Sequence, residues 1–525
     1  MYAKTRLSFM MRLVLFLLCA LFSITAHAQV RQEGRFEIVQ RYSDEDFTII
    51  SLNEDGLALF RKKFKFNDRN RVWELILLDS TATPKKSLEL EVDNQGELMG
   101  YEHSNDFIHL LFIKNEIKGD MEVISVNLTT YEQNRTKITT ELKINLTHFT
   151  KCGDNYILGG DVGEEPAVFI YIPATKNFKI IPGFFNKRTE LVDVRLNNNQ
   201  TFNTVLISRE NRDNNKIIFR TFDSFGKQLI EDVVPFRDHN VQTGMTSNLK
   251  RDDLIILGTW GNVGASQSSG FYGVPVNPFS EQEIKFTFLG ELQHYLDQTK
   301  PKRAEKIKAK TKEAIEKGGD PDFTNYIIPH RIIEHEKGFI LLAETYIPSK
   351  DNYSSRTNPY AYANPYGNRY GSYYPGSGMY NTNDGRSYGN TETNSQEIRT
   401  VQSQVILFTP TGEIIADYSI NLNDIKMPSL NQITDFYLDK DDLYFLYKKE
   451  SELIIKKINL QDGQVSESTQ KVKMKSPMDV IRSESKDTRI RHWYDKSFYM
   501  YGYQTVRHED GKTDDIFYIN RVAID

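Results

Sequence analysis

Cysteine is almost absent from this chain. Only Cys19 and Cys152 occur in 525 residues, and Cys19 lies in an N-terminal segment that we expect to be removed. A mature chain with one thiol cannot form an intramolecular disulfide, even in an oxidising compartment. We expect Cys152 to be a partly buried strand or turn thiol. Stability must then come from burial of apolar surface.

Long hydrophobic runs are also scarce, because the only one lies at the N-terminus. Lys4, Arg6 and Arg12 accompany an apolar run over residues 13–24, and Ala26 and Ala28 form an A-x-A-like cleavage site. This pattern predicts a signal peptide over residues 1–28. The run is too short to span a bilayer comfortably, so we predict no transmembrane segment. We expect an exported protein in the periplasm, at the cell surface or secreted.

No excess of positive charge is present. The chain has 66 basic and 71 acidic residues, and the predicted leader holds three of the basic residues and none of the acidic ones. The mature net charge is therefore −8. A balance of this sign favours solubility and argues against nucleic acid as a partner.

What the chain does have is a repeat. Eight times a short polar turn opens into an apolar strand, and the first residues of these strands are spaced by 50, 49, 49, 49, 85, 104 and 55 positions. These strands begin at Leu57, Phe107, Tyr156, Val205, Leu254, Phe339, Leu443 and Phe498. A period near 49 that is filled with short strands is typical of propeller blades of four antiparallel strands.

The two ends of the chain complement each other. The last unit ends at Asp525 without a fourth strand, whereas the strand around Phe36 precedes the first unit and has no place in it. Pairing the two would close a ring and remove two exposed strand edges. We therefore predict an all-β fold, a single closed β-propeller over residues 29–525, with eight blades and seven as the alternative. On blade rhythm and terminal closure, the chain resembles exported bacterial β-propeller proteins of unassigned function.

Two long intervals indicate insertions. Residues 291–322 predict a helix, with Thr299 and Pro301 at its start and Gly318 and Gly319 at its end. Residues 300–317 contain eight basic and three acidic residues. Residues 351–397 contain nine Tyr, eight Asn and six Gly but no Leu, Ile or Val, which predicts a disordered, low-complexity loop.

Strand parity places these insertions together. In a blade of strands a, b, c and d, the b–c loop and the connection from d to the next blade leave the sheet at the same end. The helix, the loop after Trp260 and the tyrosine-rich loop should therefore share one rim. We predict that this rim binds a partner through Trp260, Arg303, Lys306, Lys310, Tyr360, Tyr362, Tyr366, Tyr370, Tyr373 and Tyr374. A solvated strut and a spacer remain the simpler interpretations of the helix and the loop.

Catalytic and metal-binding signatures are weak, so we name no catalytic residue and expect no metal and no cofactor. His330 and His335 lie five apart on a predicted strand and face opposite sides, which excludes a shared metal. Only three tryptophans occur, whereas eight-bladed quinoprotein dehydrogenases depend on repeated docking tryptophans. Two hypotheses follow: a non-enzymatic binding or scaffold protein that engages an envelope protein or glycan, or a glycan-active hydrolase or lyase with carboxylates at the central funnel. The sequence leaves the oligomeric state open.

Overall fold

Eight antiparallel sheets follow one another along the chain and form a β-propeller. The computed structural model describes residues 30–115, 119–210, 215–237, 239–247, 253–263, 265, 267–348, 378–379, 398–427, 431–485 and 488–525. Seven sheets contain four consecutive strands as their framework, and the eighth combines the last strands of the chain with the first. The predicted all-β class and the count of eight blades are confirmed, and the alternative of seven is wrong.

The first half of the chain supplies one detached strand and four blades. The detached strand is β1 (Val30–Val39). Blade 1 contains β2 (Thr48–Ser51), β3 (Leu57–Asn67), β4 (Asn70–Leu78) and β5 (Pro84–Asp93), and blade 2 contains β6 (Glu97–Ser104), β7 (Phe107–Asn115), β8 (Asp120–Asn127) and β9 (Gln133–Thr139). Blade 3 contains β10 (Asn145–Cys152), β11 (Asn155–Val162), β12 (Glu165–Ile172) and β13 (Asn177–Ile180), and blade 4 contains β14 (Thr189–Leu196), β15 (Thr201–Arg209), β16 (Asn215–Asp223) and β17 (Gln228–Phe236).

The second half supplies the other four blades. Blade 5 contains β18 (Asn240–Val241), β19 (Met245–Thr246), β20 (Leu254–Gly261), β21 (Gly270–Val276) and β22 (Lys285–Phe288), and blade 6 contains β23 (Tyr326–His335), β24 (Gly338–Ile347), β26 (Ile398–Phe408) and β27 (Ile414–Met427). The short β25 (Gly378–Met379) pairs with β6 of blade 2. Blade 7 contains β28 (Asp435–Asp439), β29 (Asp442–Lys449), β30 (Glu452–Asn459) and β31 (Val465–Lys471), and blade 8 contains β32 (Val480–Glu484), β33 (Arg489–Tyr494), β34 (Ser497–Arg507) and β35 (Thr513–Ile524).

The N-terminal strand completes blade 8. Strand β1 pairs with β35 in an antiparallel register that runs from Val30 opposite Ile524 to Val39 opposite Ile516. Phe36 lies opposite Ile519 and is buried between blades 8 and 1. The predicted closure between the two ends of the chain is therefore confirmed.

The core is divided among the gaps between blades. Among the described residues eight apolar clusters occur, and each joins two neighbouring blades: 1 with 2, 2 with 3, and so on around the ring. The last cluster joins blade 8 to blade 1 through Trp493, Phe517, Leu57 and Leu59. Because each blade packs on both neighbours, closing the ring buries one more interface than an open array would.

Buried carboxylates accept hydrogen bonds across these gaps. Asp193 of blade 4 accepts a hydrogen bond from the Thr246 backbone N–H of blade 5 at 2.8 Å. Glu344 of blade 6 accepts from the backbone N–H of Thr434 at 2.8 Å, and Asp435 of blade 7 accepts from the N–H of His492 at 2.8 Å. Burial raises the pKa of Asp193, although Arg195 and the bonded N–H oppose that change.

The side chains of His330 and Cys152 are buried and make contacts inside the propeller. His330 is buried, and its Nε2 atom contacts Glu344 Oε2 at 3.0 Å. Cys152 is completely buried at the end of β10, and its Sγ atom donates to the carbonyl oxygen of Gln200 at 3.1 Å. Burial raises the pKa of the thiol to about 12. Cys152 is thus more buried than the sequence predicted.

Within the described part of the chain one α-helix interrupts the strands, as predicted. Helix α1 (Pro301–Glu316) lies between blades 5 and 6, with Pro301 at its first position. At its end, Gly318 adopts a φ of 71°, and its N–H donates to Ile315 while the N–H of Gly319 donates to Ala314. This is a Schellman motif, in which a left-handed glycine satisfies the last carbonyl groups of the helix.

Candidate functional site

The connections on one face of blades 5 and 6 contact each other. The b–c loop of blade 5 forms an isolated antiparallel bridge to the segment after α1, from Ser268 to Asn325. Next to this bridge, the Thr324 hydroxyl donates to Gln267 Oε1 at 2.5 Å. The two connections are 57 residues apart in sequence, yet strand parity brings them to the same end of the sheets. The shared end of the sheets was predicted from the sequence, whereas the bridge itself was not.

The strand ends that flank the tyrosine-rich loop lie beside the segment that precedes α1. Tyr295, which precedes α1, contacts the Thr345 hydroxyl of β24 at 3.0 Å, and Gln402 of β26 donates to the Tyr295 carbonyl oxygen at 2.8 Å. The tyrosine-rich loop connects β24 to β26, so it leaves and re-enters blade 6 at this face. Apart from Gly378 and Met379, residues 351–397 lie outside the described residues. The disorder predicted for this loop therefore stays a prediction.

Helix α1 packs through a narrow apolar side on the segment that precedes it. Thr311 is buried against Gly290, where a Cβ atom would approach the threonine Oγ1 to 2.1 Å. Ala304 and Ile307 pack against the apolar cluster between blades 5 and 6. This side of the helix therefore faces the propeller, whereas Ile315 is 38% exposed. The rest of the helix surface faces solvent.

The solvent-facing side carries the predicted basic residues. Arg303, Lys306 and Lys310 are exposed, and the structure records no ion pair for them within the described residues. In contrast, Lys312 lies 3.9 Å from Glu316 and Lys317 lies 2.5 Å from Glu313. Three neighbouring cations without a carboxylate leave a local positive potential on a chain that is acidic as a whole.

A pocket of about 450 Å³ opens beside this cationic face. One wall is α1, and the other is the segment that follows the helix. The apolar lining consists of Ile307, Ala314, Pro321 and Phe323, and the charged lining includes Lys310, Lys317, Asp320 and Asp322. Its size is in the range of pockets that hold small ligands or single side chains of a partner.

Trp260 was a wrong choice as a partner-contacting residue. Its side chain is completely buried between blades 4 and 5, and its indole N–H donates to the Phe271 carbonyl oxygen at 3.1 Å. The rings of His239, Phe286 and Phe288 surround it. The misleading signal was its position next to a polar loop; the alternation of β20, which puts Trp260 on the same side as Ile256, predicts burial.

The predicted tyrosines cannot be compared with the structure in the same way. Tyr360, Tyr362, Tyr366, Tyr370, Tyr373 and Tyr374 lie outside the described residues. Their contribution to the rim remains a prediction.

The inner strands hold a second polar group that the sequence did not suggest. Glu102 of β6 is 4% exposed, and none of the described groups donates a hydrogen bond to its Oε2 atom. Burial raises its pKa to about 8, although the Thr150 hydroxyl and Lys151 favour the ionised form. Glu102 is therefore protonated through most of the neutral range.

Glu102 lies opposite His109 in the register of β6 and β7. The His109 ring contacts the Ser125 hydroxyl at 2.7 Å and the Ser104 hydroxyl at 3.0 Å, and burial lowers its pKa to about 3. This cluster holds a neutral acid beside a neutral imidazole between blades 2 and 3. No sequence motif marks it, because it depends on strand register. Among the described residues, no group of three or more His, Cys, Asp or Glu side chains is arranged to hold a metal ion.

The solved structures to which this chain is similar are distant in sequence. The structure is similar to a quinohemoprotein alcohol dehydrogenase from Pseudomonas putida (8% identity, TM-score 0.43, 94% of this chain and 76% of that chain). It is also similar to the β-propeller domain of the Trilobed protease from Pyrococcus furiosus (10%, TM-score 0.34, 80% and 98%) and to a prolyl endopeptidase (10%, TM-score 0.39, 91% and 54%). The chain thus spans about half the length of that endopeptidase.

No protein-family model and no curated protein matches the sequence. At the identities above, the structural similarities say nothing about activity or substrate in this chain. Within the described part of the chain, no helix is long and apolar enough to cross a membrane.

Proposed function

We propose that this protein is an exported, non-enzymatic binding or scaffold protein that engages an envelope protein or glycan through one rim. One observation carries the proposal: the exposed cationic side of α1 and its pocket lie where connections of blades 5 and 6 meet. A rigid ring that presents irregular connections on one face is a common basis for recognition, because the scaffold fixes the position of the variable segments.

Charge reversal on α1 tests the proposal. Replacing Lys306 and Lys310 by Glu should reduce capture of native partners several-fold in pull-downs from envelope extracts, because it inverts the local potential without touching the packed side of the helix. Lys312→Glu, on the far side of α1, is the matched control and should leave capture unchanged. Equal capture by the wild type and the double variant would contradict the proposal.

Export is part of the same proposal. We expect the mature chain to begin at Gln29, after the A-x-A-like site. Cell fractionation followed by N-terminal sequencing measures both points. Recovery of the full-length chain from the cytoplasm of its bacterial host would contradict export.

The burial and raised pKa of Glu102 favour an enzymatic function as a second candidate. A buried carboxylic acid with a pKa of about 8 can donate a proton at neutral pH, as the general acid of a glycan hydrolase or lyase must. Three other buried carboxylates, Asp193, Glu344 and Asp435, instead accept backbone hydrogen bonds between blades. Polysaccharide turnover that Glu102→Gln abolishes would favour the enzyme over the binding protein.

A further inference from the structure

The cations of the rim form one narrow stripe. At 100° per residue, Arg303, Lys306, Lys310 and Lys317 fall within about 60° of the helix circumference and extend over roughly 21 Å along its axis. Lys317 is already paired with Glu313, so the uncompensated charge belongs to the other three. An extended chain of about seven residues matches this length.

The pocket beside the stripe is electrically asymmetric. Lys310 and the paired residues Glu313 and Lys317 lie on the helix wall, so Lys310 is its uncompensated charge. Asp320 and Asp322 lie on the opposite wall, with Phe323 next to them. Asp320 is 3.8 Å from the His239 ring, which compensates its charge only when that ring is protonated. A uniformly anionic chain would be attracted by one wall and repelled by the other. An uncharged group in the pocket avoids this conflict.

We infer that the occupant of the rim is an extended acidic protein segment whose carboxylates follow the stripe and whose single apolar side chain enters the pocket. The inference rests on the proposed binding function and names the class of its partner. Ile307, Ala314 and Phe323 supply the apolar contacts for the anchoring side chain. An acidic polysaccharide offers the negative charge but no such side chain, so the pocket favours a peptide.

Binding of short synthetic peptides to the mature full-length protein tests this inference. The reference probe is a fluorescent seven-residue peptide with one central leucine between glutamates, measured by anisotropy at low and physiological salt. Three probes serve as comparisons: the same peptide with serine for leucine, the same peptide with glutamine for glutamate, and a polygalacturonate oligosaccharide. Lys310→Glu is compared with Lys312→Glu, which places the same charge change about 160° away on the helix.

The reference peptide should bind. Lys310→Glu should weaken its affinity about tenfold, which corresponds to a loss of about 1.4 kcal/mol of binding free energy. Lys312→Glu should change the affinity less than about twofold, as expected for a distant surface charge. Loss of either the leucine or the glutamates should also weaken binding. Added salt should reduce the affinity of the reference peptide.

The remaining outcomes distinguish the peptide inference from the proposed binding rim. Polygalacturonate binding that Lys310→Glu abolishes, with no binding of the leucine peptide, would overturn the peptide inference and leave the rim as the binding site. Peptide binding that is equally sensitive at positions 310 and 312, or indifferent to the leucine, would overturn the pocket assignment. Absence of binding to all probes, together with unchanged capture of native partners by the Lys306→Glu/Lys310→Glu variant, would overturn both claims.

Discussion

Removal of residues 30–39 should prevent the protein from folding to a soluble monomer. Strand β1 supplies the outer strand of blade 8, and its loss exposes the edge of β35 and part of the cluster between blades 8 and 1. An open edge strand templates aggregation. The apolar burial and strand pairing that are lost contribute a free energy as large as the whole free energy of unfolding, which is about 5–15 kcal/mol for typical domains. Size-exclusion chromatography and circular dichroism of the truncated protein provide the measurement.

A milder variant measures the same closure in a protein that still folds. Phe36→Ala should lower the free energy of unfolding by about 3 kcal/mol, because it removes a buried ring and leaves a cavity. Val39→Ala in the same strand is the matched control, since Val39 is 50% exposed, and it should cost less than about 0.5 kcal/mol. Urea titration compares the two. Equal midpoints for Phe36→Ala and Val39→Ala would show that β1 does not close the ring.

Glu102→Gln should stabilise the protein at pH 8 and have little effect at pH 4. The pKa of Glu102 is raised to about 8 in the folded state, so the unfolded chain loses the proton first as the pH rises above about 4.5. The wild type therefore loses stability between these two pH values. A difference of roughly 3.5 pKa units corresponds to at most about 5 kcal/mol at pH 8. Glutamine keeps the shape and removes the ionisation.

Urea titrations at pH 4, 6 and 8 measure this effect. The difference between Glu102→Gln and the wild type should grow with pH and level off near pH 8. Glu132→Gln, at an exposed position, is the control and should follow the wild type at all three values. A destabilised Glu102→Gln protein at pH 8 would mean that an ionised Glu102 is held by hydrogen bonds, and that the acid is not protonated at neutral pH.

The sequence predicts most of this architecture because the repeat is a local signal. Polar turns before Leu57, Phe107, Tyr156 and Val205 mark the second strand of consecutive blades. The first three of these strands begin at or within one residue of the predicted positions, whereas β15 begins four residues before Val205. The helix was also predictable, since Pro301 begins it and Gly318 follows it. The closure of the ring followed from one missing and one surplus strand.

The site could be predicted only in part, because side-chain direction depends on register and packing. Arg303, Lys306 and Lys310 are exposed, as expected for the basic face of the helix, and Arg303 and Lys310 lie one turn from Ile307 at the border of the apolar side. Their role in binding stays a prediction. Trp260 was misplaced because its neighbouring loop outweighed the alternation of its strand. Glu102 gave no signal at all, because its raised pKa depends on burial between two blades. Trp73 and Trp493 are likewise buried.

Disulfide trapping across the rim tests most directly whether connections of blades 5 and 6 meet at one site. In a Cys152→Ser background, Ser268→Cys and Asn325→Cys should oxidise rapidly to an intramolecular disulfide, because the backbones of these residues exchange hydrogen bonds at 2.7 and 3.0 Å. Such pairs have Cα atoms about 5.5 Å apart, within the range of disulfides. Ser268→Cys with Lys312→Cys should remain reduced under the same conditions. A Ser268→Cys/Asn325→Cys protein that stays reduced while folded would contradict the shared rim and the binding site built on it.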